Sequence, residues 1–373
     1  MPRPVTVAFD DQIFVAQPRG GVSKTFVEIA RLLPEFDVQP IFLSRSTRNE
    51  HLAESGFVPA APPRGRIAAR AAWVGWRLIG HPREQAARLP RTDVLHHTFT
   101  HPSYLGPVAA PRVVSIYDFM PERFPELFPL GNPHFAKRRF AMRSDAILTN
   151  SQATTDDLAR FYGAELLDRT TVAHLGVSDA FLSAPSAPMD LPAKYLLFVG
   201  VRRGYKEFSR FLAAAAPLLD EDASLSLVIV GGGELSDDER AELAGHGIGH
   251  RAVHLRPADS EMRTVYARAS AFVFPSLYEG FGLPTIESLA AGTPVVLADA
   301  GCSREVGGPL AHLFTPGDAE SMRAALRQAL TEPAQRRAAE EGPAWAGRFT
   351  WRETARKHAE VYRHLVADAA GRR

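Results

Sequence analysis

Two acidic residues, Glu279 and Glu287, stand eight positions apart in a glycine-rich segment that follows an apolar run. We predict a helix with Pro284 in its first turn and Gly292 at its end, because proline favours helix starts and glycine helix ends. Glu287 then lies in the first turn, and its carboxylate points back towards the opening that Glu279 enters. Carboxylates bind hydroxyls and exposed backbone N–H groups bind phosphate, so this segment suits a sugar nucleotide. The alternative is structural: a helix-terminal charge worth about 0.3–1 kcal/mol and a surface loop residue.

Two cations follow another apolar run. Arg202 and Lys206 come just after the predicted strand 195–200, so we expect them at its carboxyl end, where they complement a diphosphate. Arg203 competes for the same role, and we favour Arg202. The alternative is that these residues are exposed surface cations.

Two glycine turns allow a phosphate or a sugar to approach the backbone closely. Gly20 and Gly21 precede a helix predicted to start near Ser23, although a glycine pair is a weak signal by itself. Gly231 begins a second turn, Gly231-Gly-Gly-Glu234, directly after a predicted strand. No further glycine follows at the spacing of a dinucleotide-binding fingerprint, which argues against a Rossmann dehydrogenase.

Strand ends must position these residues, and apolar runs alternate with helical patterns along the chain. Such alternation is typical of parallel βαβ units, and two series of runs predict an α/β protein with two Rossmann-like, doubly wound sheets. The predicted strands are 5–9, 38–43, 93–96, 112–116, 146–150 and 171–174 in the first series, and 195–200, 225–230, 252–255, 271–274, 294–298 and 311–314 in the second.

A proline-rich stretch at 183–192 separates the two series, and we place the domain boundary near residue 187. The prediction is an N-terminal domain over 1–186 and a C-terminal domain over 187–350. Open parallel sheets bind ligands at the carboxyl ends of their strands, so we expect the ligand in a crevice between the two domains.

Composition narrows the class of protein. The 373 residues are 45% hydrophobic and 23% charged, as in ordinary folded proteins. Since 43 basic and 42 acidic residues leave a net charge of +1, no nucleic-acid partner is expected. The lone cysteine, Cys302, excludes a disulfide scaffold and a multi-thiolate zinc site. With no secretory signal and no long apolar run, these features predict a cytoplasmic protein.

Asp220-Glu-Asp222 is the only plausible metal-binding Asp-x-Asp triplet. It precedes the predicted strand 225–230, which places it at the opposite edge of the sheet from the expected ligand site. We therefore predict no metal ion and no other cofactor.

Residues 64–91 hold seven arginines and one acid, a local charge of 7 − 1 = +6. A helix over 66–79 would place Arg66, Arg70 and Arg77 on one face, flanked by Trp73 and Trp76. Two interpretations stay open. The segment contacts an anionic membrane at the inner membrane face or a lipid-linked acceptor, or it is a core helix whose arginines are solvated.

The segment Glu279-Gly-Phe-Gly-Leu-Pro-Thr-Ile-Glu287 resembles the Glu-x7-Glu signature of the family 4 retaining glycosyltransferases, which have the two-domain GT-B architecture. The resemblance covers most of the chain, including Leu197-Phe-Val-Gly200 and the cations after it. It implies that Arg202 and Lys206 hold the donor diphosphate, that Glu287 holds the ribose, and that Glu279 faces the transferred sugar. The other donor-binding residues that it implies are Gly20, Gly21, Phe281, Gly282, Leu283 and Gly231.

One position departs from the family pattern. Many relatives have a His-Asp pair after the predicted strand 112–116, where this chain has Tyr117 and Asp118. In the family that histidine helps to position the transferred sugar, and His96 or His97, at the end of an earlier strand, could supply it. The alternative is that both histidines are satisfied strand-end residues. Tyr117, Asp118 and His97 are therefore candidates for sugar or acceptor binding.

The resemblance implies a retaining glycosyltransferase of bacterial glycan synthesis. It would move a hexosyl group from a nucleotide diphosphate sugar, GDP-mannose-like or UDP-linked, to a hydroxyl of a glycan, lipid-linked or small-molecule acceptor. The N-terminal domain presents the acceptor, the C-terminal domain binds the donor, and a helix within 351–373 crosses back to the N-terminal domain. No carboxylate nucleophile is identifiable, so we expect the departing phosphate to accept the proton of the acceptor. Two alternatives stay open: an inactive nucleotide-sugar-binding module, and an epimerase or phosphorylase on the same fold.

Overall fold

The structure, a computed structural model, describes residues 3–62, 71, 74, 75, 92–128, 133–182 and 189–371. The chain divides into two compact units, one of Met1–Leu175 with Trp351–Arg373 and one of Gly176–Thr350. Each unit is built on a six-stranded parallel sheet. The predicted α/β class with two doubly wound sheets is therefore confirmed.

The first sheet extends on both sides of its first strand. Its strands are β1 (Val5–Phe9), β2 (Val38–Phe42), β3 (Val94–His97), β4 (Arg112–Ile116), β5 (Ala146–Thr149) and β6 (Thr170–Val172). Their order in the sheet is β2-β1-β3-β4-β5-β6. Because β2 and β3 lie on opposite sides of β1, the carboxyl ends of β1 and β3 mark a topological switch point, where open α/β sheets bind ligands.

The second sheet repeats this arrangement. Its strands are β7 (Lys194–Val199), β8 (Leu225–Val230), β9 (Ala252–Leu255), β10 (Ala271–Phe274), β11 (Val295–Ala298) and β12 (Ala311–Phe314). Their order is β12-β11-β10-β7-β8-β9, so the switch point lies between β10 and β7. All twelve strand predictions are confirmed, with ends that differ by no more than two residues. The match is close because strands such as β8 are buried along nearly their whole length and form continuous apolar runs.

Helices connect the strands and cover the core of each unit. They are α1 (Gln12–Ala16), α2 (Gly21–Leu32), α3 (Glu50–Glu54), α4 (Met120–Arg123), α5 (Lys137–Arg143), α6 (Gln152–Tyr162), α7 (Asp179–Leu182), α8 (Phe208–Glu221), α9 (Asp237–Gly245), α10 (Met262–Ala267), α11 (Leu283–Ala290), α12 (Ser303–Gly307), α13 (Ala319–Ala329), α14 (Glu332–Ala346) and α15 (Trp351–Gly371). In the second unit, the ring of Phe198 on β7 packs against Phe208 and Phe211 of α8, with centroids 5.0 and 6.0 Å apart.

The last helix, α15, belongs to the first unit. Its buried residues Ala359, Tyr362 and Leu365 join the apolar core of the first sheet, and the helix packs against α2. The side chain of Thr354 also donates a hydrogen bond to the carbonyl of His174 at 2.6 Å.

The division between the units falls after Leu175, ahead of the predicted boundary at residue 187. Residues that follow this division pack within the second unit: the N–H of Val177 donates to the carbonyl of Phe349 at 2.9 Å, and Phe181 packs against Tyr266. The predicted boundary near residue 187 falls within residues 183–188, which are outside the described residues.

Most of the basic segment 64–91, including all seven of its arginines, also lies outside the described residues. Its predicted helix over 66–79 therefore stays a prediction. In the part of the chain that the structure describes, no helix combines the length and the apolar character needed to cross a membrane.

Candidate active site

Three loops lie side by side at the carboxyl edge of the second sheet, because β10, β7 and β8 are neighbours. Residues 200–207 follow β7, residues 231–236 follow β8, and residues 275–282 follow β10. The strands thus place the predicted residues Lys206, Gly231 and Glu279 on adjacent loops. This edge is where open parallel sheets bind ligands.

Lys206 and Glu279 form an ion pair between two of these loops. The carbonyl of Tyr205 accepts a hydrogen bond from the N–H of Leu277 at 2.8 Å, which ties the loop after β7 to the loop after β10. The Lys206 ammonium also lies 4.6 Å from the centre of the Phe274 ring. The two charged side chains are only 11% and 18% exposed, so water screens their attraction weakly.

Glu287 lies in α11, and the structure corrects its predicted place in that helix. The helix starts at Leu283, one residue before Pro284, so Glu287 falls in the second turn and not in the first. Its carboxylate accepts a hydrogen bond from the hydroxyl of Tyr266 at 3.2 Å. Burial, together with the charge of Glu287, raises the pKa of Tyr266 well above its usual value, so the phenol keeps its proton and remains a donor.

Glycine is required where the loop after β10 enters α11. Gly282 has a φ of +81°, and a Cβ there would lie 3.3 Å from both the Phe274 ring and the hydroxyl of Thr285. The adjacent Phe281 is buried, and its ring packs against Phe349. The structure therefore assigns the Phe281 side chain to the core, while Leu283 is half-buried at the start of the helix.

Arg202 departs from its expected surroundings. Its side chain is 1% exposed, and each of its three guanidinium nitrogens donates to a protein acceptor. Nε donates to Glu239 at 2.9 Å, Nη1 donates to the carbonyl of Gly231, and Nη2 donates to the carbonyl of Glu234 at 2.9 Å. The neighbouring Arg203 is exposed. The buried Arg202 is therefore paired with protein groups, whereas the Lys206 side chain keeps some exposure and pairs with Glu279.

The triplet Asp220-Glu-Asp222 lies ahead of β8, at the amino edge of the second sheet, as predicted. Asp222 pairs with Lys194, the first residue of β7, at 2.6 Å. Hydrogen bonds from Lys194 and Ser224 hold the pKa of Asp222 below its usual value. Over the described ranges, no group of three or more His, Cys, Asp or Glu residues could hold a metal ion.

In the first unit, His96 is a core residue. Its ring nitrogens are hydrogen bonded to the hydroxyls of Tyr362 at 2.6 Å and Ser115 at 2.9 Å, and none of the residue is exposed. Burial lowers the pKa of His96 well below its usual value, so the ring is neutral. His96 thus connects β3, β4 and α15, which agrees with the structural alternative for this residue.

His97 faces Asp10 at the switch point of the first sheet. Its Nδ1 donates to the Asp10 carboxylate at 2.8 Å, and the N–H of Thr98 donates to the same carboxylate at 2.9 Å. The other nitrogen of this ring is Nε2. That nitrogen is buried and has no hydrogen-bond partner among the described residues.

Tyr117 and Asp118 both follow β4 but have different surroundings. The Tyr117 ring packs beside Phe26 against the core, and burial raises the pKa of its phenol. The Asp118 carboxylate is 35% exposed and lies 3.7 Å from the ammonium of Lys137, which is buried and also pairs with Glu122 at 3.0 Å. Of the two residues, Asp118 presents the charged group.

Gly20 and Gly21 lie at the amino end of α2, which starts two residues before the predicted Ser23. A Cβ at Gly20 would lie 2.3 Å from Oε1 of Gln17, whereas a Cβ at Gly21 would meet nothing within 4 Å. A side chain at Gly20 would therefore displace the flexible end of Gln17, whereas space is open at Gly21.

Sequence reasoning missed Asp10, Glu239 and Lys137. Asp10 had a signal, since an acidic residue directly after a buried strand is expected at the carboxyl edge. The Ser236-x-x-Glu239 pattern predicts a capping box, which the structure contains, but it gives no hint of the bond to Arg202. No pattern in the sequence indicated that Lys137 would be buried.

Two family models together match most of the chain. Residues 19–181 match Glycosyltransferase Family 4, and residues 185–344 match Glycosyl transferases group 1. The chain belongs to the family 4 glycosyltransferases. The first matched range of this glycosyltransferase contains Gly20 and Gly21, and the second contains the three loops around Lys206 and Glu279.

Known proteins agree with this assignment. Over 310 residues, the glycosyltransferase is 27% identical to the O-antigen chain mannosyltransferase B of Escherichia coli, an alignment that covers 78% of this chain and 79% of that protein. Its fold matches sucrose-phosphate synthase from Thermosynechococcus elongatus with a TM-score of 0.73 and 19% identity, over 98% of this chain and 100% of that one. The fold of Anabaena HepE, solved in complex with UDP and glucose, matches with a TM-score of 0.70 and 18% identity, over 94% and 97% of the two chains. These likenesses agree with a GT-B fold.

Proposed function

We propose that this glycosyltransferase moves a hexosyl group from a nucleotide diphosphate sugar to a hydroxyl group of an acceptor, with retention of anomeric configuration. The observation that carries the proposal is the ion pair of Lys206 and Glu279 at the carboxyl edge of the second sheet. A phosphate competes for the ammonium and sugar hydroxyls compete for the carboxylate. A single ligand that has both groups, a sugar nucleotide, therefore satisfies both residues at once.

On donor binding, Lys206 exchanges Glu279 for the diphosphate. The ammonium then stabilises the negative charge that grows on the departing phosphate, which lowers the barrier where charge develops. Glu279, released from Lys206, accepts hydrogen bonds from hydroxyls of the transferred sugar and holds the ring over its phosphate. Glu287, oriented by Tyr266, holds the ribose of the nucleotide.

The transfer step uses the donor's own phosphate as the base. The bond from the anomeric carbon to the phosphate oxygen breaks, and its electron pair stays on that oxygen. The acceptor oxygen bonds to the same face of the sugar, and its proton passes to the departing phosphate. This route needs no protein nucleophile, and it retains the configuration at the anomeric carbon.

The donor class that we propose is GDP-mannose or a UDP-linked hexose. A mannosyltransferase among the relatives supports the first, and the UDP and glucose of HepE support the second. The acceptor is a glycan, lipid-linked or small-molecule hydroxyl bound by the first unit, where Asp118 offers a partly exposed carboxylate. We place this reaction in the cytoplasm, as part of bacterial glycan synthesis.

The test is donor turnover with a panel of acceptors. We expect the protein to release GDP from GDP-mannose or UDP from UDP-glucose, faster with a sugar acceptor, and to form an α-linked product from an α-linked donor. A protein that binds the nucleotide but releases none would be an inactive binding module. Epimerised donor, or sugar phosphate formed with inorganic phosphate in place of a transfer product, would identify the rival enzyme classes.

We also propose that residues 64–91 contact an anionic membrane. About 1 kcal/mol per arginine near such a surface gives binding that falls steeply with salt. Sedimentation with phosphatidylglycerol vesicles, against phosphatidylcholine vesicles as the control, measures it. Unchanged sedimentation after Arg66, Arg70 and Arg77 are all replaced by Gln would favour the core-helix interpretation.

A further inference from the structure

The loop after β8 is unusual because three consecutive glycines adopt left-handed backbone conformations. Gly231, Gly232 and Gly233 have φ values of +85°, +71° and +77°. A side chain is strained at such angles, and a Cβ at Gly232 would also lie 2.6 Å from Nη1 of Arg202. The three glycines therefore form a turn that fits closely around the Arg202 guanidinium. We call residues 231–234 the glycine turn.

Arg202 holds the glycine turn from one side. Its guanidinium donates to the carbonyl oxygens of all four residues of the turn, at 3.3 Å for Gly232, 3.1 Å for Gly233 and 2.9 Å for Glu234, with the shortest contact to Gly231. The same guanidinium faces Glu239 through Nε at 2.9 Å and Nη2 at 3.2 Å, so the two hydrogens of Nη2 are shared between Glu239 and the carbonyls of the turn. This fork geometry requires a planar guanidinium.

These carbonyl contacts fix the direction of the N–H groups. In a trans peptide the C=O of one residue and the N–H of the next point in opposite directions. Since Arg202 draws the carbonyls of residues 231–233 to its own side, the N–H groups of Gly232, Gly233 and Glu234 point away from it. None of these three N–H groups donates to a residue that the structure describes, and all three residues are exposed.

The position of the turn suits an anion. It follows β8, which is the neighbour of β7, so the turn lies next to the loop that carries Lys206. Successive N–H groups that point the same way bind anions.

We propose that Arg202 is a positioning residue, which acts on the donor diphosphate through the N–H groups of the glycine turn and does not contact the phosphates itself. This inference rests on the proposed nucleotide-sugar function. It assigns direct phosphate contact to Lys206 and to the backbone of residues 232–234. It assigns to Glu239 the task of keeping the guanidinium in place.

A substitution at Glu239 distinguishes this arrangement from direct phosphate binding by Arg202, because the two predict opposite changes in the affinity for the diphosphate. In Glu239→Gln the capping box is kept, since glutamine also serves at that position, but the charged partner of Arg202 is lost. If Arg202 binds phosphate directly, this change frees the guanidinium and tightens binding. If Arg202 positions the turn, the change loosens the turn and weakens binding.

The experiment measures dissociation constants of GDP, UDP, GMP and UMP by calorimetry for the full chain. We expect Arg202→Gln and Glu239→Gln each to weaken binding of the preferred diphosphate by about tenfold and binding of the monophosphate by less. The double variant should bind no more weakly than Arg202→Gln. Arg202→Lys should not restore binding, because an ammonium cannot reach Glu239 and four carbonyls. Arg203→Gln, which changes the exposed neighbour, is the matched control and should bind like the wild type.

Tighter or unchanged diphosphate binding in Glu239→Gln, or restored binding in Arg202→Lys, overturns the inference while leaving the proposed function intact. If Arg202→Gln does not fold, Glu239→Gln still shows whether diphosphate binding becomes weaker or tighter. A folded wild-type protein that binds none of the four nucleotides overturns the proposed function, and the inference with it.

Discussion

The carboxyl edges of the two sheets use polar residues in different ways. At the edge of the second sheet, Lys206 and Glu279 come from separate loops, keep some exposure and pair with each other. At the edge of the first sheet, His97 and Asp10 are at most 1% exposed and are bound together at the strand ends. A ligand can replace one partner of the first pair without unfolding anything, whereas it must open the structure to reach the second. The difference supports the proposal that the donor binds at the second edge.

The largest effect that we expect comes from Lys206. In Lys206→Ala the departing phosphate loses the cation that we propose for it, and removal of one such electrostatic partner slows a reaction by about 100- to 1,000-fold. Steady-state kcat at saturating donor measures the effect, and Arg203→Ala, which removes an exposed charge, is the control. A loss of less than tenfold in Lys206→Ala would show that the ion pair is not the reacting centre.

Substitutions of Glu287 and Glu279 should change different kinetic constants. Glu287→Ala removes the hydrogen bond that we propose between a charged group and the unreactive ribose of the donor, so KM should rise by about tenfold to a hundredfold with kcat nearly unchanged. Glu279→Ala should instead lower kcat, because a sugar held loosely over its phosphate spends less time in a reactive geometry.

Kinetics with donor varied at saturating acceptor separate these outcomes. Tyr266→Phe serves as a milder version of the Glu287 change, since it removes only the hydroxyl that orients the carboxylate. Equal effects of the two alanine variants on KM alone would remove Glu279 from the reacting centre.

The strands could be predicted from the sequence because buried parallel strands are continuous apolar runs. The second edge was also predictable in part, since Lys206 and Glu279 each follow such a run and β7 and β10 prove to be neighbours. The sequence does not show the order of the strands within each sheet. The contact of His97 with Asp10 exists because β3 lies next to β1 in the sheet, although β2 lies between them in the chain.

Arg202 shows a second limit of sequence reasoning. A cation at a strand end has the same pattern whether it faces a ligand or a set of carbonyls. The four carbonyls that surround Arg202 come from a turn about 30 residues further along the chain, brought close by the pairing of β7 with β8. Likewise, Glu287 falls in the second turn because α11 begins at Leu283, and the sequence marks helix ends only to within a residue or two.

The first sheet should respond to acid through stability. His358 of α15 is fully buried, and burial lowers its pKa to about 4, against about 6.5 in an unfolded chain. Between these values the unfolded state binds the extra proton, so the free energy of unfolding falls as the pH falls, by about 2 kcal/mol at pH 5. His96, with its pKa also lowered by burial, adds to the same trend.

Urea unfolding at pH 7.5 and pH 5 measures this loss. His358→Gln removes the titrating group and should reduce the difference between the two pH values, while His364→Gln, on the exposed side of α15, should not. Equal pH dependence in the wild type and in His358→Gln would mean that the acid sensitivity arises elsewhere in the chain.

The smallest expected effect is that of removing divalent metal. Enzymes that bind a nucleotide diphosphate through a metal ion use the cation to neutralise the leaving phosphates. Here Lys206 provides a positive charge at the carboxyl edge, and the only Asp-x-Asp triplet lies at the amino edge, where Asp222 pairs with Lys194. We therefore expect full transfer activity after dialysis against EDTA. The measurement compares initial rates with EDTA and with added magnesium or manganese, at equal donor concentration. A strict requirement for either metal would contradict the role given to Lys206, since the charge on the leaving phosphates would then have a different source.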